Sequence, residues 1–95
     1  MLKAELIGDA TVRLTGRFDA AQVGVAEAVL DHVETTCTID CEALDYISSA
    51  GIGVILGTYK RLHEKGETLK MTKVNPQIRQ VFKYAGLDKV FIVEG

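Results

Sequence analysis

The 95-residue chain has one proline, two cysteines and no tryptophan, and its apolar runs are short. A single proline, Pro76, excludes a proline-rich linker or a polyproline recognition segment. Two cysteines are too few for the dense disulfide frameworks of small secreted domains. Cys37 and Cys41 lie four apart in an expected strand, roughly 13 Å at about 3.3 Å per residue, whereas a disulfide needs Cα atoms within about 7 Å. They read as small buried hydrophobes. Neither His32 nor His63 has the spacing to complete a metal site with them, so no metal and no cofactor is expected. There is no basic excess: 11 Lys and Arg against 13 Asp and Glu give a formal net charge of −2, which argues against nucleic acid as a partner. No apolar run approaches the roughly 18–20 residues of a membrane span. Met1-Leu2-Lys3 leads straight into an alternating segment rather than a signal peptide. These absences point to a cytoplasmic protein without a membrane span.

Apolar residues make up 47% of the chain, enough for one domain over residues 1–95 with a real core. Residues 2–6 and 11–15 alternate apolar and polar with period two, and Gly8-Asp9 between them suggests a hairpin. Asp19 stands where it can cap a helix over about 20–34, with Val23, Ala26, Leu30 and Val33 on one face. Residues 36–41 read as a third strand. A helix follows from about 49 to 65 and stops at Gly66, and Thr68 to Val74 form a fourth strand. Asn75-Pro76 supplies a cap and a first-turn proline for a helix with Ile78, Val81, Phe82 and Ala85 as its apolar stripe. Gly86 ends that helix with Leu87 placed for an apolar contact, and Val90-Phe91-Ile92-Val93 is a last short strand. The order β-β-α-β-α-β-α-β implies an α/β fold: a mixed, mostly parallel sheet of four to five strands with three to four helices.

The stretch Leu44-Asp-Tyr-Ile-Ser-Ser-Ala-Gly-Ile-Gly-Val-Ile-Leu-Gly57 is the most informative one. An apolar strand ends, and Ser48 and Ser49 stand where a helix begins, beside unpaired backbone N–H groups and the positive end of the helix dipole. A hydroxyl there can cap the helix, attack a carbonyl or carry a phosphate. Attack needs a base, but His63 lies about four turns away, roughly 20 Å at 1.5 Å per residue, and His32 ends another helix, so no enzyme activity is expected. Gly51, Gly53 and Gly57 miss the dinucleotide fingerprint by one residue. A phosphoserine would add about −1.5 to −2 charge against free N–H donors, tolerable to the fold and decisive for anything docked nearby. On the helical wheel Ile52, Ile55, Leu56, Tyr59 and Leu62 form a core face. The opposite side, Ala50, Gly53, Val54, Gly57 and Arg61, is bare where a solvent face normally carries charge. It serves either close packing within the domain or, the preferred reading, docking of a partner.

The chain resembles the STAS domain family, and within it the single-domain bacterial anti-sigma factor antagonists. The resemblance rests on Leu14-Thr-Gly-Arg-Phe-Asp19, Ile39-Asp40, Leu44-Asp-Tyr-Ile-Ser-Ser-Ala-Gly-Ile52, Asn75-Pro76 and Gly86-Leu-Asp-Lys-Val-Phe91. It implies a single STAS-type domain that binds an anti-sigma factor, itself a serine kinase, and so regulates transcription indirectly. Phosphorylation by that kinase ends the binding and a serine phosphatase restores it. The phosphoacceptor maps to Ser49, with Ser48, where the family often has Asp, as the alternative. Asp19 matches a position near the partner surface or is a plain helix cap. Asp40 matches a strand aspartate near the site or one that simply bonds backbone N–H groups. A second implied reading is a STAS module serving another assembly, a lipid-transporter ATPase or a stress-signalling complex, without a phospho-switch. The chain is expected to be a monomer or weak dimer.

Overall fold

The alternating segments pair as written. In the computed structural model, which describes residues 1–8, 10–90 and 92–94, β1 (Leu2–Leu6) runs antiparallel to β2 (Thr11–Phe18), Ala4 opposite Leu14. Gly8 of the expected turn is described; Asp9 lies outside the described residues. Strand β2 is longer than its alternation suggested, running past Thr15 to Phe18. Gly16 permits this: its φ is +99°, and a Cβ there would stand 2.2 Å from the Met1 carbonyl oxygen, so only glycine fits.

A short 3₁₀ turn, Ala20–Gln22, precedes α1 (Val23–Leu30), so the expected helix over 20–34 is both shorter and two-part. Ala26 and Leu30 are buried on α1, and Val33 is buried beyond its end. Strand β3 (Cys37–Asp40) follows, then β4 (Leu44–Ile47), α2 (Ser49–His63), β5 (Leu69–Thr72), α3 (Pro76–Tyr84) and β6 (Ile92–Val93).

The segment β4 adds one strand to the expected order. Both β3 and β4 pair parallel with β2, β3 along Thr11–Arg13 and β4 along Gly16–Phe18. They occupy a single position in the sheet, interrupted at Cys41–Ala43. Across its width the sheet therefore has five positions, ordered β1-β2-β3-β5-β6 with β4 beside β2, parallel except for β1. This is the mixed α/β architecture expected. The apolar residues of alternate positions, Val12, Leu14, Ile39, Leu69 and Met71 among them, are buried together with Phe18, Ile55, Leu62 and Phe82 in one core.

Helix α3 starts as its sequence predicts. Asn75 accepts a hydrogen bond from the Ile78 N–H at 2.9 Å, and Pro76 takes the first helical position. Its buried face is narrower than predicted: Ile78 and Phe82 are buried, while Val81 and Ala85 are exposed. Gly86 adopts a left-handed conformation and Leu87 turns back into the core. Of the expected last strand, Val90 closes a 3₁₀ turn, Phe91 lies outside the described residues, and Ile92–Val93 pair with β5.

Candidate functional site

The site forms where β2 and β4 end side by side. Phe18 stands opposite Ile47, and the Ser48 N–H donates to the Phe18 carbonyl at 2.9 Å. The chain then turns into α2. Ser48 keeps an extended backbone, its Oγ accepts from the Gly51 N–H at 3.2 Å, and its carbonyl accepts from the Ile52 N–H at 2.9 Å. Ser48 is thus the helix cap, half-buried and engaged.

Ser49 is the first residue inside the helix and is exposed. Its hydroxyl has no hydrogen-bond partner among the described residues. Two adjacent serines therefore hold different positions: one satisfies a backbone donor, the other faces solvent beside the N-terminal end of a 15-residue helix.

Gly51 explains why the motif has glycine two residues on. A Cβ at that position would lie 2.8 Å from Ile47 Cγ1 and 3.0 Å from both Phe18 Cγ and the Phe18 carbonyl oxygen. The first turn of α2 sits directly on the paired strand ends, and any side chain would lift it away.

Asp19 follows Phe18 and so flanks the same junction. It is not a side-chain cap. It precedes the 3₁₀ turn with its carbonyl accepting from the Gln22 N–H, its side chain makes no capping bond, and Oδ1 is enclosed without a hydrogen-bond partner among the described residues. Beside it, the Arg17 guanidinium lies 4.3 Å from the centre of the exposed Tyr46 ring.

The bare side of α2 faces a groove. Val23 and Glu27 of α1 and Asp31 just past its end form one wall; Ala50, Gly53, Val54, Gly57, Thr58 and Arg61 of α2 form the other, around a volume of about 370 Å³. Gly53 and Gly57 are exposed, and a Cβ on either would meet nothing within 4 Å. The glycines therefore do not serve close packing inside this chain. Arg61 has a structural task as well: its guanidinium donates to the Val33 and Leu30 carbonyls, both at 2.7 Å, tying the end of α1 to α2.

The core face of α2 is Gly51, Ile55, Thr58 and Leu62, with Ile52, Leu56 and Tyr59 half-buried at its margins. Thr58 was not among the expected core positions. It is buried because its hydroxyl donates back to the Val54 carbonyl at 3.0 Å.

Asp40 lies apart from the serines. It is opposite Arg13 on β2, five residues from the Phe18 pairing, roughly 16 Å at 3.3 Å per residue. Its buried carboxylate accepts from the Glu42 N–H at 3.0 Å and lies 3.7 Å from Arg13 and 3.9 Å from Lys73. Of the two readings of this residue, bonding the local backbone is the one the geometry fits.

Cys37 and Cys41 are free and buried, and burial pushes their thiols up to about 11 and about 12. His63, at the far end of α2, stacks on Tyr59 with ring centres 5.6 Å apart. Among the described residues no group of three or more His, Cys, Asp or Glu side chains could hold a metal ion, and no helix is long and apolar enough to cross a membrane.

The groove wall on α1 escaped the sequence reading. Glu27 and Asp31 are spaced i, i+4 on one helix face, a signal that was present, but nothing local says that this face meets α2 across a groove.

The chain is similar to known proteins. The family profile described as "Mlab, STAS domain" matches residues 4–94, so the chain belongs to the STAS domain family. It is 30% identical over 84 residues to an anti-sigma F factor antagonist of Paenibacillus polymyxa, covering 83% of this chain and 72% of that protein. Its fold matches the anti-sigma factor antagonist SpoIIAA in its unphosphorylated form, with TM-score 0.76, 24% identity, and coverage of 98% of this chain and 87% of that one. It also matches the Bacillus cell fate determinant SpoIIAA in the phosphorylated form, with TM-score 0.70, 24% identity, and coverage of 98% and 90%. At that identity the structural likeness speaks for the fold alone.

Proposed function

We propose that this STAS-family protein is an anti-sigma factor antagonist whose binding is switched by phosphorylation of Ser49. The partner is an anti-sigma factor that is also a serine kinase. It docks on the N-terminal end of α2 and along the groove floored by Gly53 and Gly57. Transfer of a phosphate to Ser49 ends the complex, and a serine phosphatase restores it. The relatives' names supply the partner class, since the similar Paenibacillus protein is an anti-sigma F factor antagonist.

The observation that carries the reading is the division of labour between the two serines. Ser48 holds the cap, so Ser49 is left exposed, one residue before Ala50, which lines the groove. A phosphate there adds about two negative charges where the helix dipole tolerates them, and so acts on the docked surface rather than on the core. The glycines support the same surface. Each costs the helix about 1 kcal/mol relative to alanine. Neither has a neighbour among the described residues that requires it. A partner backbone approaching closely gives that cost a purpose.

The test mixes the protein with its nucleotide-loaded anti-sigma kinase and reads intact mass and complex formation together. One phosphate on Ser49, with loss of the complex, is expected. Ser49→Ala should bind and resist release, and Ser49→Asp should bind poorly. Unimpaired binding by both the phosphorylated protein and Ser49→Asp would overturn the switch.

A second reading has one observation in its favour: the matching profile is described by Mlab rather than by an antagonist. On that reading the same groove serves the ATPase of a transport assembly, without phosphate. A stable complex with such an ATPase, unchanged in Ser49→Asp, would select it.

A further inference from the structure

The outer edge of β1 has the makings of a two-fold interface, and we propose that two copies of this chain pair along it, antiparallel and centred on Ala4. The inference stands on backbone geometry and charge, apart from the switch proposed above.

Alternate residues of an antiparallel strand direct both backbone groups to one side. The Met1 carbonyl accepts from Arg17, and the Ile7 N–H donates to Thr11, so the odd-numbered residues of β1 bond inward to β2. Leu2, Ala4 and Leu6 therefore turn their N–H and C=O groups to the open edge. The Leu2 N–H is taken by the Gln22 side chain at 3.1 Å. The Ala4 and Leu6 groups and the Leu2 carbonyl lie along a margin of the sheet with no further strand beside it among the described residues.

Only registers that place even residues opposite even residues can join two such edges. Setting Leu2 opposite Ala4 puts Lys3 against Lys3; setting Ala4 opposite Leu6 puts Glu5 against Glu5. Like charges directly opposite are unfavourable. The register between them pairs Ala4 with Ala4 and Leu2 with Leu6, and sets Lys3 of each copy against Glu5 of the other. Lys3 and Glu5 then occupy the non-hydrogen-bonded positions, where facing side chains approach most closely. Within one chain the two already lie on the same face, 3.7 Å apart, Lys3 exposed and Glu5 half-buried. This register makes four new backbone hydrogen bonds: two between the Ala4 residues and two from Leu6 N–H groups to Leu2 carbonyls.

The apolar surface agrees with the charge. Leu6 is 58% exposed and Val25 is 40% exposed. Helix α1 covers β1, and at about 100° per residue Val25 stands some 160° from Glu27, which faces the α2 groove. Val25 therefore faces away from α2, on the side of the open edge. A two-fold axis perpendicular to the sheet brings both α1 helices to the same face, with Val25 and Leu6 contributed by each copy. One group on this edge is already engaged, the Leu2 N–H by Gln22, which is why the Leu2–Leu6 pairs count one bond each; otherwise β1 has no proline and no bulge, and its charges are balanced rather than of one sign.

Sedimentation equilibrium of the full chain up to about 1 mM tests the proposal. The average mass should rise with concentration from one chain towards two. Lys3→Glu should weaken self-association roughly tenfold or more, because two opposite-charge pairs become like-charge pairs. An equimolar mixture of Lys3→Glu with Glu5→Lys should recover it, as should the doubly swapped chain. Ala4→Pro should abolish association and keep the monomer fold, since the N–H it removes is not bonded to β2; its urea midpoint checks the fold. A single-chain mass throughout, or self-association indifferent to both charge variants, would overturn the proposal.

Discussion

Three glycines in one helix should respond to alanine in opposite directions, and the directions follow from what surrounds each. Gly53 and Gly57 have helical backbones, exposed positions and nothing within 4 Å of a built Cβ. Alanine there removes backbone freedom from the unfolded chain at no steric expense, so each change should stabilise the fold by about 1 kcal/mol. The sites are four apart and do not touch, so the double variant should gain about 2 kcal/mol. For a domain of this size 1 kcal/mol moves Tm by about 4–8 °C, so the double variant should melt roughly 8–16 °C higher. Gly51→Ala meets Ile47 and the Phe18 carbonyl at 2.8 and 3.0 Å, and one of those contacts is backbone that cannot rotate aside. It should cost about 1–3 kcal/mol.

Urea and thermal denaturation of Gly51→Ala, Gly53→Ala, Gly57→Ala and the Gly53/Gly57 double variant measure all of this. The reasoning fails if the double variant is destabilised, which would mean that the groove closes on itself in solution, or if Gly51→Ala is neutral. The functional half of the argument is separate. The stabilised double variant should dock its partner less well, because two methyl groups now stand on the groove floor. Gly57→Glu should dock worse still, with stability nearly unchanged. A stabilised variant with undiminished binding would leave the glycines without a purpose in docking.

Replacing Ser48 by Ala should cost about 1 kcal/mol as the Gly51 N–H loses its cap, whereas Ser49→Ala should leave Tm nearly unmoved, a contrast that thermal melts resolve directly. Arg61→Met should lower stability by about 2 kcal/mol by stripping the Leu30 and Val33 carbonyls of a charged donor, and amide exchange should show the end of α1 opening more readily. The buried thiols predict an alkaline loss of stability. In the unfolded chain they ionise near 9, in the fold at about 11 and about 12. Between those values the unfolded chain binds fewer protons, so stability is full below pH 9 and falls by up to about 1.4 kcal/mol per pH unit per thiol above it. Urea titrations at pH 8 and 10.5 should show that extra fall against a Cys37→Ala/Cys41→Ala reference, and an identical pH dependence in the two proteins would refute it.

What could be read from the residues alone follows from how each contact is made. Strands β1 and β2 were legible because one sheet face is covered and the other carries Lys3, Glu5 and Arg13, so burial alternates with the chain. The ends of α3 were legible because Asn75 and Gly86 act on backbone groups a few residues away. That a strand ends before Ser48 was legible, but not that Leu44–Ile47 is a separate strand β4, because it holds four residues and continues a sheet position that β3 leaves at Asp40. Val81 and Ala85 obey helical periodicity yet stay exposed, because periodicity assigns a face but not its width. Thr58 counts as polar by type and is buried because it bonds its own helix. The junction divides along the same line. Two serines before a glycine mark a helix start from sequence, but which serine caps depends on the Gly51 N–H finding Ser48 Oγ, and that is decided by β4 arriving in register with β2. The groove depends on α1 lying beside α2, held there by Arg61, a residue that had been read as bare surface. Local chemistry is therefore written in neighbouring residues, whereas the shape of a binding surface is written in contacts about thirty residues apart.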